Sequence, residues 1–233
     1  MEHDLVDLRD DKGSGSTGEV SSGGTGSQAG PGVVDRVLNV GVDRLGPFKG
    51  AAVVADEALA SCRGDVERAV DHIIKTHVRL AGTNGFVTGL GGIAALPVTL
   101  PVGVGGYYLL GARLAAAVAH LRGEDLHSEH VRSAVLITLL GSAGTEVLKE
   151  AGVKIGTKGL AAALKRVPGR IFIDINKKVG FRLVTKGETT GVINMGKLIP
   201  LAGGPIGATI DVVSMRAVGR YARKNFAANA EAH

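Results

Sequence analysis

Aromatic side chains make up only 3% of this 233-residue chain, and tryptophan is absent. A core therefore has to be assembled from Ala, Val, Leu, Ile and Gly, which suits helices packed closely together. The same scarcity removes the stacking platforms that hold single-stranded nucleic acid, and no helix-turn-helix signature takes their place. Cys62 is the sole cysteine. That excludes an intrachain disulfide, is compatible with a reducing cytoplasm, and rules out the usual structural zinc frameworks, which need more than one cysteine. The opening residues, MEHDLVDLRDD, are acidic and lack the apolar core of a secretory signal. Period-two alternation of apolar and polar residues is nearly missing, so strands are not expected. Catalytic signatures are missing as well. There is no H-E-x-x-H and no G-x-S-x-G, and Gly89-x-Gly91 lacks the strand and the Lys-Ser/Thr of a phosphate-binding loop. Asp56, Glu57 and Glu67 make no acid–base pair, and Ser61 beside Cys62 has no evident base.

What the chain does have is a run of 33 residues, Leu80 to Ala112, without a charge or a histidine. The run exceeds the ~20 apolar residues of a membrane span, but nine glycines and two prolines interrupt it. Hydrophobic residues form 45% of the whole, enough for one sizeable core. Residues 1–32 are a Gly/Ser-rich tail expected to be disordered, residues 33–228 a single helical domain, and residues 229–233 a disordered end. Within the domain the pattern predicts helices over Val33–Leu45 and Lys49–Cys62. Asp65 then caps a helix over Val66–Leu80. Its inward positions are Val66, Ala69, Val70, Ile73, Ile74, His77 and Val78, and Glu67, Arg68, Asp71, Lys75 and Arg79 lie outside. A loop or short helix at Thr83–Ala95 and a turn at Pro97–Pro101 follow. Further helices are expected over Val102–Leu121, His130–Glu150 (capped by Ser128), Val153–Val167 and Arg170–Lys186. The last runs from a second apolar hinge, Ile199–Gly207, to about Ala228. The fold class is all-α: a helical bundle with two Gly/Pro-rich apolar hinge-helix units.

Those two hinges echo each other. A shift of 103 residues places Pro97 on Pro200 and Arg113 on Arg216, with Pro101 and Pro205 one residue out of step. The hinge positions are Gly89, Gly91, Gly92, Pro97 and Pro101 in the first unit and Pro200, Gly203, Gly204 and Pro205 in the second. The chain resembles the EcsC protein family in these segments. The likeness lies in Gly85-Phe86-Val87-Thr88-Gly89-Leu90-Gly91-Gly92, Ala95-Leu96-Pro97, and the helix ending His120-Leu121-Arg122-Gly123-Glu124-Asp125-Leu126. It continues in Ile199-Pro200, Gly203-Gly204-Pro205-Ile206-Gly207-Ala208, and the helix ending Arg220-Tyr221-Ala222 with Asn225-Phe226. It runs from about Phe48 to Phe226. It implies a bacterial, all-helical fold and no established activity, because the shared positions are glycines and prolines rather than catalytic groups. Where the family often carries an amide, this chain has Asp211.

Charge is distributed unevenly. Residues 1–120 sum to −3 and residues 121–233 to +8, and ten Lys/Arg lie between Val147 and Lys186 against Glu150 and Asp174. Such a cluster suits a polyanion, with acidic lipid headgroups favoured over nucleic acid. Lys154, Lys158 and Lys165 are expected on one helical face. Lys178, Arg182 and Lys186 form an i, i+4, i+8 stripe, and Phe172, Ile175, Val179 and Leu183 an apolar face beside it. Arg216 and Arg220 belong to a further basic strip. These eight cations are the candidate lipid- or anion-binding residues. Arg113 and Asp211, each at the end of a charge-free run, are expected to pair as a buried polar couple. His120, His127 and His130 read as a surface cluster rather than a metal site.

Glycine at a helix interface lets backbones approach, and Gly103 with Gly111 and Gly105 with Gly106 are placed to do so. The glycines therefore serve either close packing or a helical hairpin that enters a bilayer. The function expected from these features is that of a non-enzymatic cytoplasmic protein associating peripherally with anionic membranes or lipids. It would lie at the inner face of the plasma membrane, beside a membrane-protein partner, with no cofactor, metal or nucleic acid. A soluble binding protein with an apolar small-ligand cavity and an uncharacterised enzyme remain the alternatives.

Overall fold

A computed structural model describes residues 38–39, 42–43, 49–90, 92–193 and 203–227, with side chains left undescribed at 88–105, 184, 186–193 and 203. Helix α1, Ala51–Ser61, buries Ala51, Ala55 and Ala58, a step of four and then three that defines one inward stripe. Arg63 (φ 57°) and Gly64 (φ 82°) turn the chain left-handed, and the Gly64 N–H reaches back to the Leu59 carbonyl at 2.9 Å. Asp65 then accepts from the Arg68 N–H at 3.0 Å, the capping bond expected of it.

Helix α2 runs over Val66–Leu90, ten residues past the end read from the sequence. Its first half keeps the expected face: Ala69, Val70, Ile73, His77 and Val78 are buried, and Glu67, Arg68, Asp71, Lys75 and Arg79 are exposed. The region taken as a loop or short helix is helical because its glycines meet another helix. A methyl at Gly85 would lie 2.5 Å from the Gly207 carbonyl oxygen, and one at Gly82 would lie 2.8 Å from Val212 Cγ2. Tertiary packing thus overrides the ~1 kcal/mol per glycine that opposes the helix.

Helix α3, Gly92–Leu121, is continuous, so Pro97 and Pro101 sit inside a helix instead of in a turn. Their four-residue spacing leaves two carbonyls, of Ile93 and Pro97, without the usual i+4 donor. Gly92 opens this helix, Gly89 lies within α2, and Gly91 and Pro200 fall outside the described residues. Gly123 (φ 77°) closes α3, with the Glu124 N–H bonded to Ala119 O at 3.1 Å.

The helix read as His130–Glu150 is two. Gly141 (φ 62°) divides α4, Glu129–Leu140, from α5, Ser142–Glu150. Helix α4 is buried nearly all round, from Ser133 to Leu140, and lies at the centre of the bundle. The helix read as Val153–Val167 shrinks to α6, Gly159–Leu164, entered through Gly159 at φ 83°. Then come α7, Gly169–Ile193, and α8, Gly203–Asn225, so Gly203, Gly204 and Pro205 form the first turn of a helix. Among the described residues the architecture is all-α, with eight helices and no strand. Of the expected Val33–Leu45 helix, Leu38 and Val42 are described, and both are buried in the core.

Helices α2 and α8 form the closest pair, running antiparallel: Ile74 faces Gly219, Gly82 faces Val212, and Gly85 faces Gly207. Helix α3 is antiparallel to α2 as well, since His77 meets Arg113 and Asn84 meets Gly106. The two echoing units thus both pack on α2. The echo stops at the side chains, because Arg113 is half-buried and Arg216 exposed.

Candidate anion-binding surface and a buried polar cluster

Two kinds of polar site emerge, one at the basic surface and one inside the α2–α3–α8 interface. Gly152 (φ 70°) ends α5 and releases a non-helical segment that returns as α6. This loop, α6 and the start of α7 enclose a groove of about 510 Å³ lined by Lys154, Lys158 and Arg166, with Ile155 and Ile171 among its apolar members. Among the described residues no carboxylate lines it. Lys154 and Lys158 precede α6 and Lys165 follows it, so the single helical face expected for the three does not form. Lys165 is exposed; burial raises the Glu124 carboxyl above its ordinary range, and the Lys165 charge offsets only part of that.

Helix α7 resolves the neighbouring stripe differently from the sequence. Ile175, Val179 and Leu183 are buried and Phe172 packs against the core, so the apolar face expected beside the cations is spent on the bundle. Lys178 donates to Glu150 at 3.0 Å, and Arg182 donates to Glu146 at 3.0 Å, Glu150 at 2.9 Å and the Ala143 carbonyl at 2.9 Å. The hydrogen bond from Lys178, with Arg182 beside it, holds the Glu150 carboxyl below the usual carboxylate range. These two cations tie α7 to α5. Lys186 continues α7, its side chain outside the described residues. The outward face of α7 carries what the sequence reading missed: Ile173 (53% exposed), Lys177 and Phe181 (71% exposed), at four-residue spacing, with Arg170 one turn earlier. The signal was available, because Ile173 and Phe181 are out of register with the 172–175–179–183 stripe.

Arg216 and Arg220 line a second groove, about 450 Å³, between α2 and α8. Lys75, exposed Val213 and Ile74 join them there, and Arg223 is ion-paired with Asp71. Arg216 and Arg220 are both exposed.

The interior cluster centres on His77, which is 1% exposed. Its Nδ1 lies 2.9 Å from the Ile73 carbonyl, which can only accept, so Nδ1 carries the proton. That leaves Nε2 as an acceptor, and Arg113 Nε donates to it at 3.2 Å. Burial, with the Arg113 charge adding to it, lowers the His77 pKa to about 4. Burial also lowers the Arg113 guanidinium from its ordinary range. The expected Arg113–Asp211 couple is therefore replaced. Arg113 is level with His77, whereas Asp211, buried on α8, lies against Gly85, eight residues further along α2, or about 12 Å at the α-helical rise. Burial, then the neighbouring Tyr108 and Asp211, push the Tyr107 hydroxyl upward, and burial takes Tyr108 to about 12.

The surface histidines disperse. His120 contacts Asp56 at 3.0 Å, and His130 stacks on Phe172 with ring centroids 4.8 Å apart. Among the described residues no three His, Cys, Asp or Glu side chains converge as for a metal ion. No helix among them is long and apolar enough to cross a membrane. Comparison with family models, characterised proteins and solved structures gives no match, so the EcsC likeness stands on its glycine and proline motifs.

Proposed function

We propose that this chain is a non-enzymatic, EcsC-like helical protein that associates peripherally with anionic membrane surfaces, at the cytoplasmic face of the plasma membrane. The observation that carries the reading is the cationic groove lined by Lys154 and Arg166, to which the described residues contribute no carboxylate, together with an outward face of α7 that exposes Phe181 and Ile173. Cations near an acidic bilayer each contribute ~1 kcal/mol, so Lys154 and Arg166 alone give more than about tenfold in partitioning. An exposed phenyl ring beside Lys177 and Arg170 supports shallow insertion at the headgroup level, where an amphipathic helix lies along the interface. Lys178 and Arg182 stay with α5, and Arg216 and Arg220 offer a second cationic patch to the same kind of surface.

Flotation with phosphatidylcholine vesicles, with and without phosphatidylserine, tests the reading. The protein should float with the acidic vesicles at low salt, remain at the bottom with the neutral ones, and be released as salt rises. Failure to float with acidic vesicles at low salt overturns it.

A further inference from the structure

A separate groove of about 420 Å³ opens between α1, α2 and α3, where Arg113 meets His77. Its wall is apolar at Val54, Ala58, Ile73 and Leu80 and cationic at Arg113 and Lys49. Glu57 also lines it, but accepts from Lys49 at 2.6 and 2.8 Å. Among the described residues Arg113 has no carboxylate partner, and its contact is with His77 through Nε alone. A neutral ring aligns the guanidinium without cancelling its charge. The four N–H groups of its two terminal nitrogens are left for something else, in the flat fork that matches a carboxylate bidentately. The volume lies within the range of small-molecule sites.

From this geometry we infer that the groove is a binding site for an organic monocarboxylate with a short aliphatic tail, its carboxylate on the Arg113 fork and its tail against Ile73 and Leu80. His77 is a positioning residue, setting the guanidinium plane by accepting the hydrogen bond of its Nε–H. The inference is independent of the membrane reading, because none of these residues belongs to the α6–α7 surface.

Isothermal titration of the full chain with octanoate, below its micelle concentration and without vesicles, tests it. Octanoate should bind saturably at one site, and octanol should bind far more weakly. Loss of a charge-assisted bidentate contact in Arg113→Met should weaken octanoate by about tenfold or more. Leu80→Asp, at an exposed position, should repel the carboxylate and weaken binding while the fold is kept, as read by circular dichroism. Because that variant spares the core, a folding failure in Arg113→Met leaves it as the deciding measurement. The inference is overturned by absence of octanoate binding, by octanol binding as tightly as octanoate, or by unchanged affinity in a folded Arg113→Met or Leu80→Asp protein.

Discussion

Protonating the buried His77 would place a second cation against Arg113, so the stability of this fold should depend on pH through one ring. The folded pKa is lowered from 6.5 to about 4. The unfolded chain therefore takes up a proton first as pH falls. Stability is highest above pH ~6.5, declines as pH drops below it, and loses nothing further from this group once the folded state is protonated too. The full span corresponds to about 3 kcal/mol, of which about 2 kcal/mol is lost between roughly pH 7.5 and pH 5. His77→Gln isolates the effect: an amide offers one donor and one acceptor at the same site and never charges. Urea unfolding of both proteins at the two pH values supplies the comparison, and the carboxylates they share cancel in the difference. The gap between wild type and variant should shift by about 2 kcal/mol against wild type on going to the lower pH. Identical pH dependence in the two proteins would refute the neutral, proton-donating-to-Ile73 assignment of His77.

Other perturbations follow from the packing. Gly85→Ala drives a methyl into the Gly207 carbonyl, so despite better helix propensity it should lose about 1–3 kcal/mol in chemical denaturation. Gly169→Ala, with nothing within 4 Å of the new methyl, should stay within about 1 kcal/mol of wild type. Arg182→Met removes a bond to the Ala143 carbonyl and two to carboxylates, and an about 1–2 kcal/mol loss is expected. Lys178→Met, an exposed pair, should cost less than about 1 kcal/mol. Phe181→Ser should leave the denaturation midpoint nearly unchanged, within about 0.5 kcal/mol, because the ring is already in solvent.

The parts of this molecule legible in its sequence are those governed by local rules. The Asp65 cap, the stripe of α1 and the buried face of Val66–Val78 each depend on residues within a few turns of one another. The extension of α2 to Leu90 was not legible, because Gly82 and Gly85 gain their reason from Val212 and Gly207, more than a hundred residues away. The break at Gly141 was hidden inside an apolar run, where nothing local distinguishes a turn glycine from a packing one. The shortening of the Val153–Val167 helix to α6 rests on left-handed turns at Gly152 and Gly159, which nothing local distinguishes from packing glycines. Lys178 and Arg182 of the α7 stripe find their partners, Glu146 and Glu150, on another helix, which the spacing within α7 does not specify. Arg113 and Asp211 were singled out as charges needing a partner. That His77 rather than Asp211 serves Arg113 depends on the register of two antiparallel helices, which no single-helix pattern specifies. Arg166 completes the α6 groove only once the loop folds back on it.

The central claim is that the cations of the α6 groove and the exposed ring of α7 act together at an acidic bilayer. Flotation with phosphatidylserine-containing vesicles, run side by side on wild type, Lys154→Ser/Lys158→Ser/Arg166→Ser and Phe181→Ser, tests it most directly. The account predicts that wild type floats, the triple variant stays behind at low salt, and Phe181→Ser binds more weakly and is released at lower salt. Equal flotation of all three would contradict it.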